Sequence, residues 1–398
     1  MFGVNNNNYY KIRCHYTSQT LAENEHKNSV MKNKLKLLYI VEAMGGGVFT
    51  YIVDLTNALA DRYSIYIAFA IRIQTPSDYK RYFDKRIHLL EVEELTRSID
   101  PVNDLKAFLK IKRIAKEIQP DIIHLHSSKA GTLGRWAFNG YKIPILYTPH
   151  GYSFLMSNQS KLKRIIYKMI EALSAKRYCT TVSCSRSEHE ETLKLTKRAV
   201  YVDNSINMIQ LQKLIDSIDI EEKKQPFTVF TLGRICSQKN PALFNTIATM
   251  MPDIHFLWIG DGELREQLTA PNIEVTGWLE RSRALQKALE ADAFLLPSLW
   301  EGMPISLLES MFMRKPCIVS DVIGNHDVIH NGKNGYVCSE VSEFKESIEK
   351  CKSDQINDIL ENAYQDIVNH YNTQIMAEQY AHIYTAVTND MVKKWKRK

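Results

Sequence analysis

Ala293-Phe-Leu-Leu-Pro-Ser-Leu-Trp-Glu-Gly-Met-Pro-Ile-Ser-Leu-Leu-Glu309 is the stretch on which the fold turns. Ala293–Leu296 is a short apolar run stopped by Pro297, which reads as a buried strand. Pro304 suits the first turn of a helix, where its missing N–H costs nothing. Ile305–Met313 then continues as a helix. A strand that passes through a short loop into a helix is the building unit of a parallel sheet covered on both faces.

The same rhythm extends outward in both directions. Leu35–Val41, Ile65–Ala70, Ile122–Leu125, Ile145–Thr148 and Thr180–Ser183 read as strands, with helices at Pro101–Ile118, Lys161–Arg177 and Ser187–Leu195. After a polar stretch, Asp203 to Gln225, which reads as a connection between domains, the pattern restarts. Strands are expected at Thr228–Leu232, His255–Ile259, Ile273–Val275 and Cys317–Val319, and helices at Pro241–Met250 and Ser282–Glu290. Helical patterns fill Val341 to Met391. The expectation is two doubly wound α/β domains, residues 34–203 and 204–372, facing across a cleft, with residues 373–398 as a final helix and basic tail. Ligands of such sheets sit at the carboxyl ends of strands, so a ligand is expected between the two. Residues 1–33 are polar, with Asn5 to Asn8 in a row, and read as a disordered leader; Met31, just before the first strand, is an alternative start.

Composition narrows the class. Of 398 residues, 44% are apolar and 24% charged, as in folded soluble proteins. No run is long and apolar enough for a membrane span or a signal peptide. The seven cysteines are scattered without a CxxC pair, which argues against a disulfide framework and a zinc site and fits a reducing cytosol. The net charge of +6 conceals an asymmetry: 31 Lys/Arg against 18 Asp/Glu in residues 1–200, and 20 against 27 in the rest. A basic first half suits an anionic partner, lipid headgroups or phosphates, although chance surface charge reads equally well.

Four strand ends carry candidate chemistry. Glu301 stands at the mouth of the helix and Glu309 near its second turn, beside free N–H groups of Met303, Ile305 and Ser306 that can bind phosphate. Taken alone, the two glutamates read as well as a capping acid and an exposed helix residue. In Leu232-Gly233-Arg234-Ile-Cys-Ser-Gln-Lys239, a glycine allows close approach and two cations five residues apart can converge on one diphosphate. Two surface cations on a loop are the plainer reading. Gly45-Gly46-Gly47 ends the first strand and reads as a flexible loop fit to approach a phosphate or an acceptor; it is not a dinucleotide fingerprint. Tyr147-Thr-Pro-His150-Gly ends a strand with a histidine; alone it reads as a structural histidine, while Pro149 and Gly151 mark a strand exit that faces the cleft.

Together these motifs, with Lys315-Pro-Cys-Ile-Val-Ser-Asp and Asn331-Gly-Lys-Asn-Gly335, resemble the retaining family-4 glycosyltransferases, bacterial capsule and O-antigen enzymes among them. Glu301 and Glu309 match the E-x7-E signature, and Arg234 and Lys239 match a G-R-x5-K pattern shortened by one residue. The resemblance covers residues 35–385 and implies the GT-B fold. It implies that Glu301 contacts the hydroxyls of the donor sugar, that Glu309 holds the ribose, and that Arg234 and Lys239 bind the donor diphosphate. His150 would lie near the transferred sugar, with Gly46 and Gly47 over the phosphates. Gly262, in Trp258-Ile-Gly-Asp-Gly262, and Trp278, in Thr276-Gly-Trp278, would frame the nucleotide. Val202-Asp-Asn-Ser205-Ile is similar to an interdomain turn in which Ser205 replaces a glycine. Gly131 and Arg135 fall where a helix begins, and packing is their expected role.

The implied reaction moves a sugar, with retention, from a nucleotide-sugar donor to a saccharide acceptor, lipid-diphosphate-linked as the best guess. No strand ends in the Asp-x-Asp that a metal-dependent transferase needs, so neither metal nor cofactor is expected. Nucleic-acid binding is set aside because no module or aromatic–basic repeat is present. A nucleotide-sugar epimerase of the same architecture and a non-catalytic sugar-nucleotide-binding protein stay open. Finally, Lys161, Lys163, Arg164, Lys168, Lys176 and Arg177 flank an apolar stripe of Leu162, Ile165, Ile166, Met169, Ile170 and Leu173. With the tail Met391–Lys398, that stripe suggests peripheral attachment to anionic lipid at the inner face of the plasma membrane. A stripe that packs on the sheet, with merely solvated lysines, is the alternative.

Overall fold

The computed structural model describes residues 34–96, 100–156, 158–219 and 226–395. The expected leader, residues 1–33, and the end of the tail, Lys396–Lys398, lie outside them, as do the side chains of Lys393, Lys394 and Trp395. In chain order the first half contains β1 (Lys36–Met44), α1 (Gly46–Leu59), β2 (Ser64–Ile71), β3 (His88–Glu91), α2 (Pro101–Ile118), β4 (Ile122–His126), α3 (Ser128–Ala137), β5 (Ile145–Thr148), α4 (Lys161–Ala175), β6 (Thr180–Ser183), α5 (Arg186–Leu193) and β7 (Ala199–Tyr201). The second half contains α6 (Met208–Asp216), β8 (Thr228–Leu232), α7 (Pro241–Thr249), β9 (His255–Ile259), β10 (Ile273–Val275), α8 (Arg281–Glu290), β11 (Ala293–Leu296), α9 (Ile305–Phe312), β12 (Cys317–Ser320), β13 (Tyr336–Cys338), α10 (Val341–Lys350), α11 (Asn357–His370) and α12 (Thr373–Trp395).

Two parallel sheets result, in the orders β3-β2-β1-β4-β5-β6-β7 and β10-β9-β8-β11-β12-β13. Each reverses direction beside its first strand, between β1 and β4 and between β8 and β11, and such crevices receive ligands. Side chains of β1 alternate: Leu37, Tyr39 and Val41 face a core shared with α1 and α12, whereas Leu38 and Ile40 face one shared with α2 and α3. The chain passes between the sheets twice, and the passages are tied together by Ile206 N–H to the Tyr371 carbonyl and Thr373 N–H to that of Ile206, both 3.0 Å. Beyond the second passage α12 returns to the first sheet. There Tyr384 bonds Tyr39 at 2.7 Å and His124 at 2.8 Å, and Tyr380 bonds Tyr51 at 2.5 Å.

Several expectations change. The glycines after β1 form no flexible loop: Gly45 caps α1, and Gly46 and Gly47 are its first turn. That helix buries Phe49, Tyr51, Ile52, Val53, Leu55 and Thr56, so it has no polar face from which a helical period could be read. The stretch read as a connection, 203–225, contains α6. Pro304 stands at the N-cap of α9, one position before the first turn. The region of Gly131 and Arg135 packs as expected. A Cβ on Gly131 would overlap the Tyr147 ring, and Arg135 is buried with Glu171 of α4, Nη2 to Oε2 at 2.6 Å.

The last contact decides which way α4 faces. Its inner side is Glu171 and Ser174, held by Arg135 and by the Trp136 indole N–H at 3.1 Å. The apolar stripe therefore points outward: Leu162 is 68% exposed, and Ile165, Ile166, Met169 and Leu173 are exposed with it. The alternative in which the stripe packs on the sheet is overturned. Val102, Leu105 and Leu109 of α2 are also exposed, and α3 packs between α2 and α4.

Candidate active site

At the mouth of α9, Glu301 is buried and fully engaged. Lys239 Nζ donates to Oε1 at 2.7 Å, Ser298 Oγ at 2.6 Å, and Gln238 Nε2 to Oε2 at 3.0 Å. The capping and exposed-helix readings fail for both glutamates. Glu301 holds a lysine rather than a helix N–H, and Glu309 is buried with Arg281 Nη2 2.5 Å from its Oε1. Met303 and Ile305 are buried in the core of the second sheet, and the Met303 carbonyl accepts from Asn204 Nδ2 at 2.7 Å.

Arg234 and Lys239 leave the end of β8 together but do not converge on one partner. The Arg234 guanidinium grips Glu263 at 2.9 and 2.8 Å, whereas Lys239 holds Glu301. Gly233, at φ +143°, presents its carbonyl to the Trp258 indole N–H at 2.9 Å. A Cβ on Gly262 would overlap the Ile235 carbonyl, so this glycine allows two strand-end loops to interlock. Trp278 stands exposed beyond β10.

The first sheet meets this mouth directly. A Cβ on Gly47 would lie 3.6 Å from Ile305 Cγ1, so the first turns of α1 and α9 adjoin. Their unpaired N–H groups make that point attractive to an anion. The His150–Gly151 turn also touches it: a Cβ on Gly302 would lie 3.3 Å from the Gly151 nitrogen. Both residues have positive φ, +55° and +92°. The imidazole of His150 turns inward. Its Nε2 is 3.0 Å from His126 Nδ1, its Nδ1 is 3.4 Å from Cys184 Sγ, and the Tyr51 ring packs on it edge to face at 4.7 Å. Burial pushes its pKa down to about 3, so the ring is neutral. The expectation of a histidine exposed to the cleft is met by the backbone of the turn, not by the ring.

Sequence reasoning missed several residues around the site. Asp54 on α1 is buried within reach of the charges of Arg281 and Glu309, and burial raises its pKa to about 7. A lone acid in Tyr51-Ile-Val-Asp54-Leu was the available signal. Arg281 stands in no motif, and Asn204 stands only in the turn Val202-Asp-Asn-Ser205-Ile, to which the sequence assigned no site role. Ser187 at the start of α5 ties the two halves, its Oγ donating to Asp327 Oδ1 at 2.7 Å. Among the described residues no group of three or more His, Cys, Asp or Glu side chains converges as metal ligands would.

Comparison with known proteins agrees with this geometry. Residues 226–354 match the family model "Glycosyl transferases group 1", and residues 45–208 match "Glycosyltransferase Family 4". The UDP-Gal:alpha-D-GlcNAc-diphosphoundecaprenol alpha-1,3-galactosyltransferase of Escherichia coli is 32% identical over 324 residues, 73% of this chain and 82% of the relative. The N,N'-diacetylbacillosaminyl-diphospho-undecaprenol alpha-1,3-N-acetylgalactosaminyltransferase of Campylobacter jejuni is 24% identical over 375 residues, 87% of this chain and 98% of the relative. HepE of Anabaena, solved with UDP and glucose, superposes with a TM-score of 0.70 at 15% identity, covering 88% of this chain and 100% of HepE. The two sheets, the strand–loop–helix unit that carries Glu301 and Glu309, and a relative 32% identical that is spanned over 82% of its length lead to one conclusion: the chain belongs to the family-4 glycosyltransferases and has their GT-B fold.

Proposed function

We propose that this glycosyltransferase moves a sugar, with retention of configuration, from a nucleoside diphosphate sugar to a saccharide carried on a lipid diphosphate, in the assembly of a cell-surface polysaccharide. The observation that carries the reading is the Lys239–Glu301 pair at the mouth of α9, where the first turn of α1 adjoins it. The donor diphosphate lies between the two helix N-termini. The sugar lies against Glu301 and the His150–Gly151 turn, and Glu309 takes the ribose. Gly46, Gly47, Gly233, Met303 and Ile305 line the phosphates, with Gly262 and Trp278 at the nucleotide edge.

In the reaction the bond from the anomeric carbon to the diphosphate breaks and the acceptor hydroxyl bonds to that carbon on the same face. The acceptor proton passes to the departing phosphate. Charge grows on that phosphate, and Lys239 and Arg234 take it up, a preorganised electrostatic role that calls for no metal.

Acceptor class and location rest on two further observations. The Escherichia coli and Campylobacter jejuni relatives are named for diphosphoundecaprenol-linked acceptors. The outward stripe of α4, edged by Lys161, Lys163, Lys168, Lys176 and Arg177, suits an anionic membrane surface, and the exposed apolar residues of α2 extend it. No helix among the described residues is long and apolar enough to cross a membrane. On this reading the enzyme works at the inner face of the plasma membrane as a peripheral protein.

The test is a panel of nucleotide sugars, beginning with UDP-galactose, against a synthetic GlcNAc-diphospholipid and against free GlcNAc. Transfer to the diphospholipid with the α-linkage retained is expected. Conversion of the donor sugar without acceptor would indicate an epimerase, and intact donor across the panel would defeat the reading.

A further inference from the structure

We propose that Glu188 is a positioning residue of the active site, holding the His150–Gly151 turn against the second sheet. Glu188 belongs to the first turn of α5 and is fully buried. Its two carboxylate oxygens reach different pieces of backbone. Oε1 accepts from the Gly151 N–H at 2.7 Å and Oε2 from the Cys184 N–H at 2.7 Å. Cys184 is also the residue whose Sγ meets His150 Nδ1. One carboxylate thus fixes the main chain on both sides of the His150–Cys184 contact.

The turn needs such a clamp. A non-glycine residue at positive φ, as His150 is, carries backbone strain and persists only where its surroundings over-determine it. Without the clamp, the Gly151 N–H would lack this partner beside Gly302, the neighbour of Glu301. The next residue back, Ser187, holds Asp327 of the second half through Oγ and its N–H. A single helical turn therefore joins the loop that borders the transferred sugar to the contact that brings the halves together.

Ionisation of Glu188 is what accepts both N–H groups, since a protonated carboxyl turns one oxygen into a donor. Burial raises its pKa to about 7, the two backbone bonds oppose that, and the charges of Asp327 and Glu171 add to it. Other groups around it are Tyr152, the neutral His150 and the thiol of Cys184, both of the last two held neutral by burial. Asp203, raised to about 7 by burial and by Asp327, titrates in the same range. Lowering the pH through about 7 therefore loosens the turn.

The assignment rests on the transferase reading for its effect on turnover, so one readout is independent of turnover. His150–Gly151 is the single His–Gly step in the sequence. Protein labelled with carbonyl-¹³C histidine and ¹⁵N glycine therefore yields one cross-peak for the Gly151 amide. In the wild type that peak is expected to titrate with a midpoint near pH 7, as a hydrogen bond to a carboxylate is lost on acidification. In Glu188→Gln the titration should vanish, and in Asp203→Asn it should persist. With donor and diphospholipid acceptor, the wild-type kcat should rise with pH through about 7. Glu188→Gln should lose roughly tenfold in kcat, in line with one hydrogen bond to a charged group, with donor KM changed less and the pH limb gone. A Gly151 amide that does not titrate in the wild type overturns the proposal even if Glu188→Gln fails to fold. So does a folded Glu188→Gln with wild-type kcat. A wild type that turns over no donor, but whose Gly151 amide titrates as described, counts against the transferase reading and not against the clamp.

Discussion

Arg281 Nη2 lies 2.5 Å from Glu309 Oε1, so the carboxylate assigned to the ribose is already paired inside the second half. Arg281 opens α8 and Glu309 lies in α9, and the ion pair engages Oε1, so that Glu309 Oε2 can accept from hydroxyl groups. The charge of Glu309 is also the leading reason that the Arg281 pKa is raised. Glu309→Ala should weaken UDP binding at least about tenfold, as expected for loss of hydrogen bonds to a charged group. Arg281→Gln should weaken it less, because Glu309 stays in place. Calorimetry with UDP checks both; equal affinity in wild type and Glu309→Ala would remove the ribose assignment.

Lys239→Ala removes the ammonium that meets Glu301 and, in the proposed reaction, the leaving phosphate. A loss of tenfold or more in kcat is expected, at about 1.5–3 kcal/mol for a charged hydrogen bond. Wild-type activity should survive excess EDTA. Steady-state assays decide both, and activity abolished by EDTA and restored by Mn²⁺ or Mg²⁺ would refute the charge-uptake scheme.

Asp54 links stability to pH. Burial raises its pKa from 3.8 to about 7. An acid whose folded pKa is raised binds its proton more tightly in the folded state. Its contribution is therefore complete below the ordinary carboxylate range and is lost as pH rises through about 7. Asp54→Asn keeps an acceptor for the Asn207 N–H and removes the buried charge. The substitution should raise Tm by a few degrees at pH 8 and by clearly less at pH 5, where part of the contribution remains. Thermal unfolding at the two pH values reads the difference directly.

The Arg135–Glu171 pair, with side chains only 2% and 4% exposed, should be costly to break from one side. Glu171→Ala strands a buried guanidinium and also removes the acceptor of the Tyr147 hydroxyl at 2.9 Å. A loss of about 3–5 kcal/mol is expected. Chemical denaturation of the variant measures it. Because the pair seats α4, exposure of Trp136 should rise as well, visible in its fluorescence.

Membrane attachment is the prediction drawn from the outward stripe of α4. Wild type should sediment with anionic vesicles at low salt, less so at high salt, and little with neutral vesicles. Changing Lys161, Lys163 and Arg164 to Glu should abolish sedimentation, and Leu162→Ser with Ile165→Ser should weaken it without altering the salt dependence. Binding indifferent to lipid charge and salt would exclude this surface.

Much of the molecule is local in origin and so was legible in the chain. The inner strands of both sheets are short apolar runs with clear stops, whereas the edge strands β3, β7 and β13 were not among those expected, and Glu301, Pro304 and Glu309 fall within a single strand–loop–helix unit. Gly233 and Lys239 likewise follow one strand end. Their residue types and spacing needed no partner from elsewhere to be recognised. Helix α1 was hidden because its middle, Tyr51–Thr56, is buried all round, which erases the amphipathic period. The periodicity of α4 announced an apolar stripe but could not say which way it faces. Two polar contacts on its inner side, the buried pair of Arg135 with Glu171 and the partly buried bond of Trp136 to Ser174, chose the outward direction. The partners that complete the site are distant in sequence. Arg281 reaches Glu309 across 28 residues, Glu188 reaches Gly151 across 37, Asn204 reaches Met303 across 99 and Ser187 reaches Asp327 across 140. Contacts of this kind exist only once two parallel sheets have brought their strand ends together, because a hydrogen bond depends on separation in space and leaves no periodic trace along the chain.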